Sequence, residues 1–121
     1  MTVKISATPE AHAALKRAVA EHGPLMFHTS GGRVGGRQFP ICLPAGWLRL
    51  GARDHLLGEV EGVPIYEMED REGGPPCRAG AYVLDVAQGP SIGFSIAAGP
   101  NRRFTLWPAG ERICSTAGEE T

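Results

Sequence analysis

An imidazole and a thiol flank one glycine-rich loop in this chain. His28 stands before it and Cys42 after it, in the stretch GPLMFHTSGGRVGGRQFPIC over residues 23–42. Imidazole and thiolate are ligands that suit zinc or iron, so His28 and Cys42 form the candidate metal pair. A structural zinc needs four ligands. His55 is the next candidate, followed by Asp54, Glu67 and Cys77, all distant in sequence. No C-x-x-C or H-x-x-x-H spacing preforms a site. The competing reading is a packed Cys42 thiol and a hydrogen-bonded His28 on a strand.

The loop supports a second chemistry. Backbone N–H groups of a glycine-rich turn can cradle an anion, and guanidinium groups add charge. Ser30, Gly31, Gly32, Arg33 and Arg37 are the candidate ligand-binding set. The loop is neither a Walker A motif nor a dinucleotide fingerprint, because the sequence after it does not open a helix. Its plain alternative is a hairpin connection with solvated arginines. Nucleophilic catalysis would pair Ser30, Cys42 or Cys77 with His28 or His55. No third member is evident and no G-x-S-x-G elbow exists, so no catalytic residue is assigned and an enzyme is not expected.

The whole chain bounds these options. Its 121 residues make one domain, expected over residues 1–110, with 111–121 a small, polar, flexible tail. A net charge of −1, from 12 basic and 13 acidic residues, argues against a nucleic-acid partner. No apolar run approaches the ~20 residues of a membrane span. The opening MTVKISATPEAH has no hydrophobic signal region. Together with three cysteines, an odd number, this predicts a reducing cytoplasm. The 17 glycines and 10 prolines predict many short elements joined by tight turns.

The elements that would position the loop follow in order. Thr8-Pro9-Glu10 is a helix-start signature. Ala11, Ala14, Leu15, Ala18 and Val19 then keep the helical period, until Gly23-Pro24 end it. Strands are predicted at 3–5, 25–29, 39–43, 47–50, 55–60, 63–67, 81–86, 93–97 and 103–107. Glu61-Gly62 is a two-residue hairpin turn. Residues 68–79 read as an irregular loop. The fold class is α+β, mainly β.

Three segments together resemble a known family. HGPLMFHTSGG, LLGEVEGVPIY and GPSIGFSIAAG are similar, in order and spacing, to a bacterial family known only as a domain of unknown function, DUF779. That resemblance implies an accessory role near aldehyde dehydrogenase, since such genes often adjoin the family's. Where the family carries two adjacent cysteines and an aspartate, this chain has Arg33, Val34 and Gly35. The layout also resembles the A-type iron–sulfur carriers. It implies a HesB-like pseudo-barrel of short mixed sheets with the N-terminal helix packed outside. Cys114 stands without the second C-terminal cysteine those carriers use. A homodimer is expected, joined through an edge strand such as residues 39–43 or 103–107.

Overall fold

Thr8 starts the helix because its hydroxyl replaces a missing backbone partner. In the computed structural model, which describes residues 3–29, 37–52, 54–68, 78–90 and 95–113, that hydroxyl accepts from the Ala11 N–H at 3.2 Å and donates to Asp85 Oδ1 at 2.9 Å. The helix, α1, runs Pro9–His22. Gly23, at φ 83°, closes it by donating its N–H to the Val19 carbonyl, the left-handed exit that favours glycine. Ala11, Ala14, Leu15 and Ala18 form its buried stripe, as the periodicity predicts, whereas Val19, expected on the same face, is exposed.

Seven strands accompany it among the described residues: β1 (Lys4–Ala7), β2 (Leu25–Thr29), β3 (Ile41–Pro44), β4 (Asp54–Val60), β5 (Val63–Met68), β6 (Arg78–Gln88) and β7 (Arg102–Ile113). They build two mixed sheets, in the orders β1-β6-β7 and β3-β2-β5-β4. β1 lies parallel to β6 and β2 parallel to β5; the other pairs are antiparallel. The class is therefore α+β, mainly β. The sheets meet at two seams without closing into one barrel. At one, the Val3 N–H donates to the Leu57 carbonyl at 2.9 Å. At the other, Gln38 and Leu106 exchange both backbone bonds at 2.9 Å.

Between the sheets lies the core. Leu25, Phe27, Cys42 and Ile65 from the four-stranded sheet face Tyr82, Leu84, Phe104 and Leu106 from the three-stranded one, and α1 covers one side. The Phe27 and Phe104 rings meet edge to face, with centroids 5.1 Å apart.

Several elements differ from the sequence expectation. Residues 47–50 are not a strand: the Trp47 N–H donates to the Pro44 carbonyl and turns the chain. The chain here must travel from the end of β3, beside Leu25, to the start of β4, beside Met68. Those points are at opposite ends and opposite edges of the sheet. The core occupies the inner face, so this strap crosses the outer one. On that outer face Met26 and Leu43 are buried. The strand expected at 39–43 begins only at Ile41. Pro40 has no N–H to offer a ladder, and Gln38 pairs with β7 instead. Residues 95–97 form no strand; the Ser95 hydroxyl and the Ile96 N–H bond the Cys42 backbone at 2.9 and 2.8 Å. Residues 111–113, expected as tail, continue β7 and pair with the start of β6. Met68, Arg78 and Ala79, expected within the loop at 68–79, belong to β5 and β6; residues 69–77 of that loop, residues 91–94 and the tail beyond 113 lie outside the described residues.

Candidate functional site

β2 carries alternate residues to opposite faces of its sheet. Leu25, Phe27 and Thr29 point to the core, and Met26 and His28 point outward. Register then assigns the neighbours. Cys42 pairs with Phe27, and Ile41 pairs with His28. Cys42 therefore shares the inner face with Phe27 and is fully buried, whereas His28 lies on the outer face. His55 pairs with Glu67, which in turn pairs with Thr29, so its register is that of the inner face. It sits on β4, three strand spacings from Cys42 on β3, or ~14 Å at ~4.8 Å each.

The metal set expected from sequence is thus not brought together. His28 and Cys42 are separated by the sheet itself, and Cys42 and His55 by its width. No group of three or more His, Cys, Asp or Glu side chains suited to a metal occurs among the described residues. Burial also pushes the Cys42 thiol up to about 12. Metals bind the thiolate, so a metal on Cys42 would have to deprotonate a thiol that burial holds up. Placed on opposite faces of the sheet, His28 and Cys42 do not together hold a zinc or iron. Cys77 and Cys114 lie outside the described residues.

What His28 meets instead is Asp54. Its Nε2–H donates to Asp54 Oδ1 at 2.7 Å, with the two side chains only 11% and 13% exposed. Asp54 is the first residue of β4 and is oriented by the strap. The Gly51 N–H donates to its Oδ2 at 2.8 Å. That backbone bond, and then the His28 bond, hold the Asp54 carboxyl below its ordinary value. Because Nε2 carries the proton toward the carboxylate, Nδ1 of a neutral His28 keeps its lone pair. The arrangement fixes the tautomer and the orientation of one imidazole.

A carboxyl whose folded pKa is depressed contributes stability above its unfolded pKa of about 3.9, and that contribution is lost as pH falls through the folded value. Asp54→Asn is expected to cost about 1.5–3 kcal/mol at pH 7, the usual worth of a hydrogen bond to a charged group. The gap between wild type and variant should shrink below about pH 4. Urea midpoints measured from pH 7 to pH 2.5 check this, and a pH-independent gap would mean that Asp54 is not held as a carboxylate.

Of the expected anion-binding set, Ser30, Gly31, Gly32 and Arg33 lie outside the described residues. Arg37 lies within them, with its guanidinium carbon 5.0 Å from the Phe39 ring centroid and 5.1 Å from that of Trp107. Behind it, Thr29 and Gln38 close the two ends of the loop on the inner side, hydroxyl to amide oxygen at 2.7 Å. The sequence reading missed Phe39, Trp107 and Arg103 as neighbours of Arg37. Alternation places 37 with 39 and 103 with 107. The pairing of the two segments comes only from the Gln38–Leu106 bridge, which no local pattern signals.

The family model described as a domain of unknown function (DUF779) covers residues 14–107, a span that contains His28, Arg37, Cys42, Asp54, Arg103 and Trp107. No curated protein and no solved structure matches the chain.

Proposed function

The chain belongs to the DUF779 family, and from that premise we propose that it is a non-enzymatic binding protein, a homodimer acting as an accessory in an aldehyde dehydrogenase system. The observation that carries the dimer is the outer side of the four-stranded sheet. Leu56 and Met68 on β4 and β5 are 37% and 41% exposed, and Leu50 and Trp47 on the strap are 38% and 56% exposed. Large apolar side chains concentrated on one side of a domain mark an interaction surface. A second copy is the occupant that fits. An isologous contact sets the same patch of both copies face to face across a two-fold axis, and the exposed Arg49 and Glu59 on these elements give it charges of both signs.

The edge strands are less suited to this role than the sequence suggests. The Ser95–Ile96 segment bonds the free edge of β3 at Cys42, and Gln38 bonds the free edge of β7 at Leu106. Edges already paired offer fewer open backbone groups to another chain.

The test is the mass in solution. Light scattering after size exclusion is expected to give a dimer for the wild type. Leu56→Glu/Met68→Glu should be monomeric with an unchanged circular-dichroism spectrum. A wild-type monomer at about 100 μM would remove the homodimer, since a standard interface of ~800 Å² per partner holds well below that concentration. Co-elution with an aldehyde dehydrogenase of the same organism tests the partner, and separate elution of the two proteins removes it. The rival reading, a metal or iron–sulfur carrier built on His28 and Cys42, has no geometric observation in its favour.

A further inference from the structure

The row of side chains that points outward from β7 holds more unsatisfied polar chemistry than any other described part of the molecule. Arg103, Thr105 and Trp107 alternate onto that side, and Phe39 and Arg37 reach it from the segment paired at Gln38. The Arg103 guanidinium carbon lies 4.0 Å from the Phe39 ring centroid, closer than the 5.0 Å of Arg37. Both guanidinium groups are therefore within 5.0 Å of one point. The Phe39 ring holds the Arg103 guanidinium by cation–π attraction before any ligand arrives.

Its hydrogen-bonding needs are unmet. Arg103 Nε is buried and has no hydrogen-bond partner among the described residues. Two residues along, Thr105 is fully buried, and its hydroxyl also has no partner among them. A buried donor left unpaired costs about 1–3 kcal/mol, so two in one row require an explanation. No salt bridge to Arg37 or Arg103 occurs among the described residues. The carboxylate on the same side, Asp85, opposes Thr105 across the strand pair. Its Oδ1 is engaged by the Thr8 hydroxyl and the Val86 N–H.

We propose that Arg37 and Arg103, set on the Phe39 ring beside Trp107, form a binding site for a phosphate group, carried either as inorganic phosphate or as a small phosphomonoester. The reason for phosphate over carboxylate is the number of oxygens. Each guanidinium presents a planar fork that takes two acceptors. Two cations with four fork donors are better matched by a phosphate, with three terminal oxygens and up to two negative charges, than by a carboxylate with two oxygens and one charge. The aromatic faces of Phe39 and Trp107 hold the cations in place by cation–π attraction and keep the site partly dry, which strengthens each charged bond. This site is independent of the apolar face assigned to the dimer.

Isothermal titration of the full chain at constant ionic strength tests the site, with inorganic phosphate, glycerol 3-phosphate and acetate as separate arms. Saturable binding of phosphate or of the phosphomonoester is expected, and the tighter of the two identifies the source. Arg103→Gln and Arg37→Gln should each weaken it about ten-fold or more, the loss of one charge-assisted contact. Arg37→Lys, which keeps the charge but loses the fork, should weaken it less. Circular dichroism confirms that each variant is folded, and Arg37→Gln serves if Arg103→Gln is not. No saturable heat with either phosphate compound would overturn the proposal. Equal binding of acetate, or affinity unchanged in Arg37→Gln, would do the same.

Discussion

Phe27→Ala is expected to destabilise the protein by about 3–5 kcal/mol, the range for truncating a buried aromatic. Phe27 has no exposed surface and sits where the two sheets and the glycine loop depend on one strand. It pairs with Cys42 on one side and Ile65 on the other, and its ring meets Phe104 of the opposite sheet at 80°. Removing the ring deletes apolar contact area and the edge-to-face pair, itself worth about 0.5–1.5 kcal/mol. It leaves a cavity between two sheets whose backbones cannot collapse onto it. A domain of this size has only about 5–15 kcal/mol in hand, so the melting temperature should fall by about 10–20 °C. Phe27→Leu, which keeps most of the volume, should cost well under half as much. A loss below about 1 kcal/mol in Phe27→Ala would mean that β2 is not the packing centre of the fold.

The same strand shows what was legible in the sequence. LMFHT reads as a strand at 25–29, and the strand is found there. α1 was legible from Thr8 to Gly23 because capping, period and stop signals are all local. The Glu61-Gly62 turn was legible for the same reason: both residues take positive φ, 51° and 81°, as a two-residue hairpin requires. His28 was legible as a residue of interest, and Asp54 as one of several possible neighbours. Nothing in the sequence said that the strap would return Asp54 to His28 and leave Cys42 on the far side. Flanking one loop does not make two residues neighbours, because an antiparallel pair sets its register residue by residue. A partner of Phe27 cannot share a face with His28. The strand expected at 47–50 failed because W-L-R-L alternates over only four residues, too few to outweigh the need for the chain to cross the sheet. Arg103 was invisible as a site residue because its partner Phe39 comes from a non-local bridge.

Such long-range contacts are also where the fold is most exposed to a small change. Gly58→Ala is expected to destabilise by about 3 kcal/mol or more, above the ordinary cost of one extra methyl in a core. Gly58 lies on β4 next to a register shift between Leu56 and Gly58. A Cβ there would stand 2.5 Å from the Val3 carbonyl oxygen and 2.9 Å from Ile5 Cδ1. The Ile5 side chain can turn aside, but the Val3 oxygen is backbone and cannot. It belongs to the segment whose N–H bonds Leu57 at 2.9 Å, the seam that holds β1 of one sheet against β4 of the other. The methyl group must therefore push the two sheets apart or break that bond. Gly51→Ala is the matched control, because its Cβ would meet only Asp54 Oδ2, at 3.8 Å, an ordinary contact. Gly62→Ala separates the second cause, since its surroundings are open but its φ is 81°; it should cost about 1–2 kcal/mol from backbone strain alone. Denaturant midpoints should then rank Gly58→Ala lowest, Gly62→Ala next and Gly51→Ala near wild type. Hydrogen exchange should show the Val3 amide losing protection in Gly58→Ala and keeping it in Gly62→Ala. If Gly58→Ala melts with Gly51→Ala, β1 and β4 are not in contact, and the two sheets are joined at the Gln38–Leu106 seam without the second.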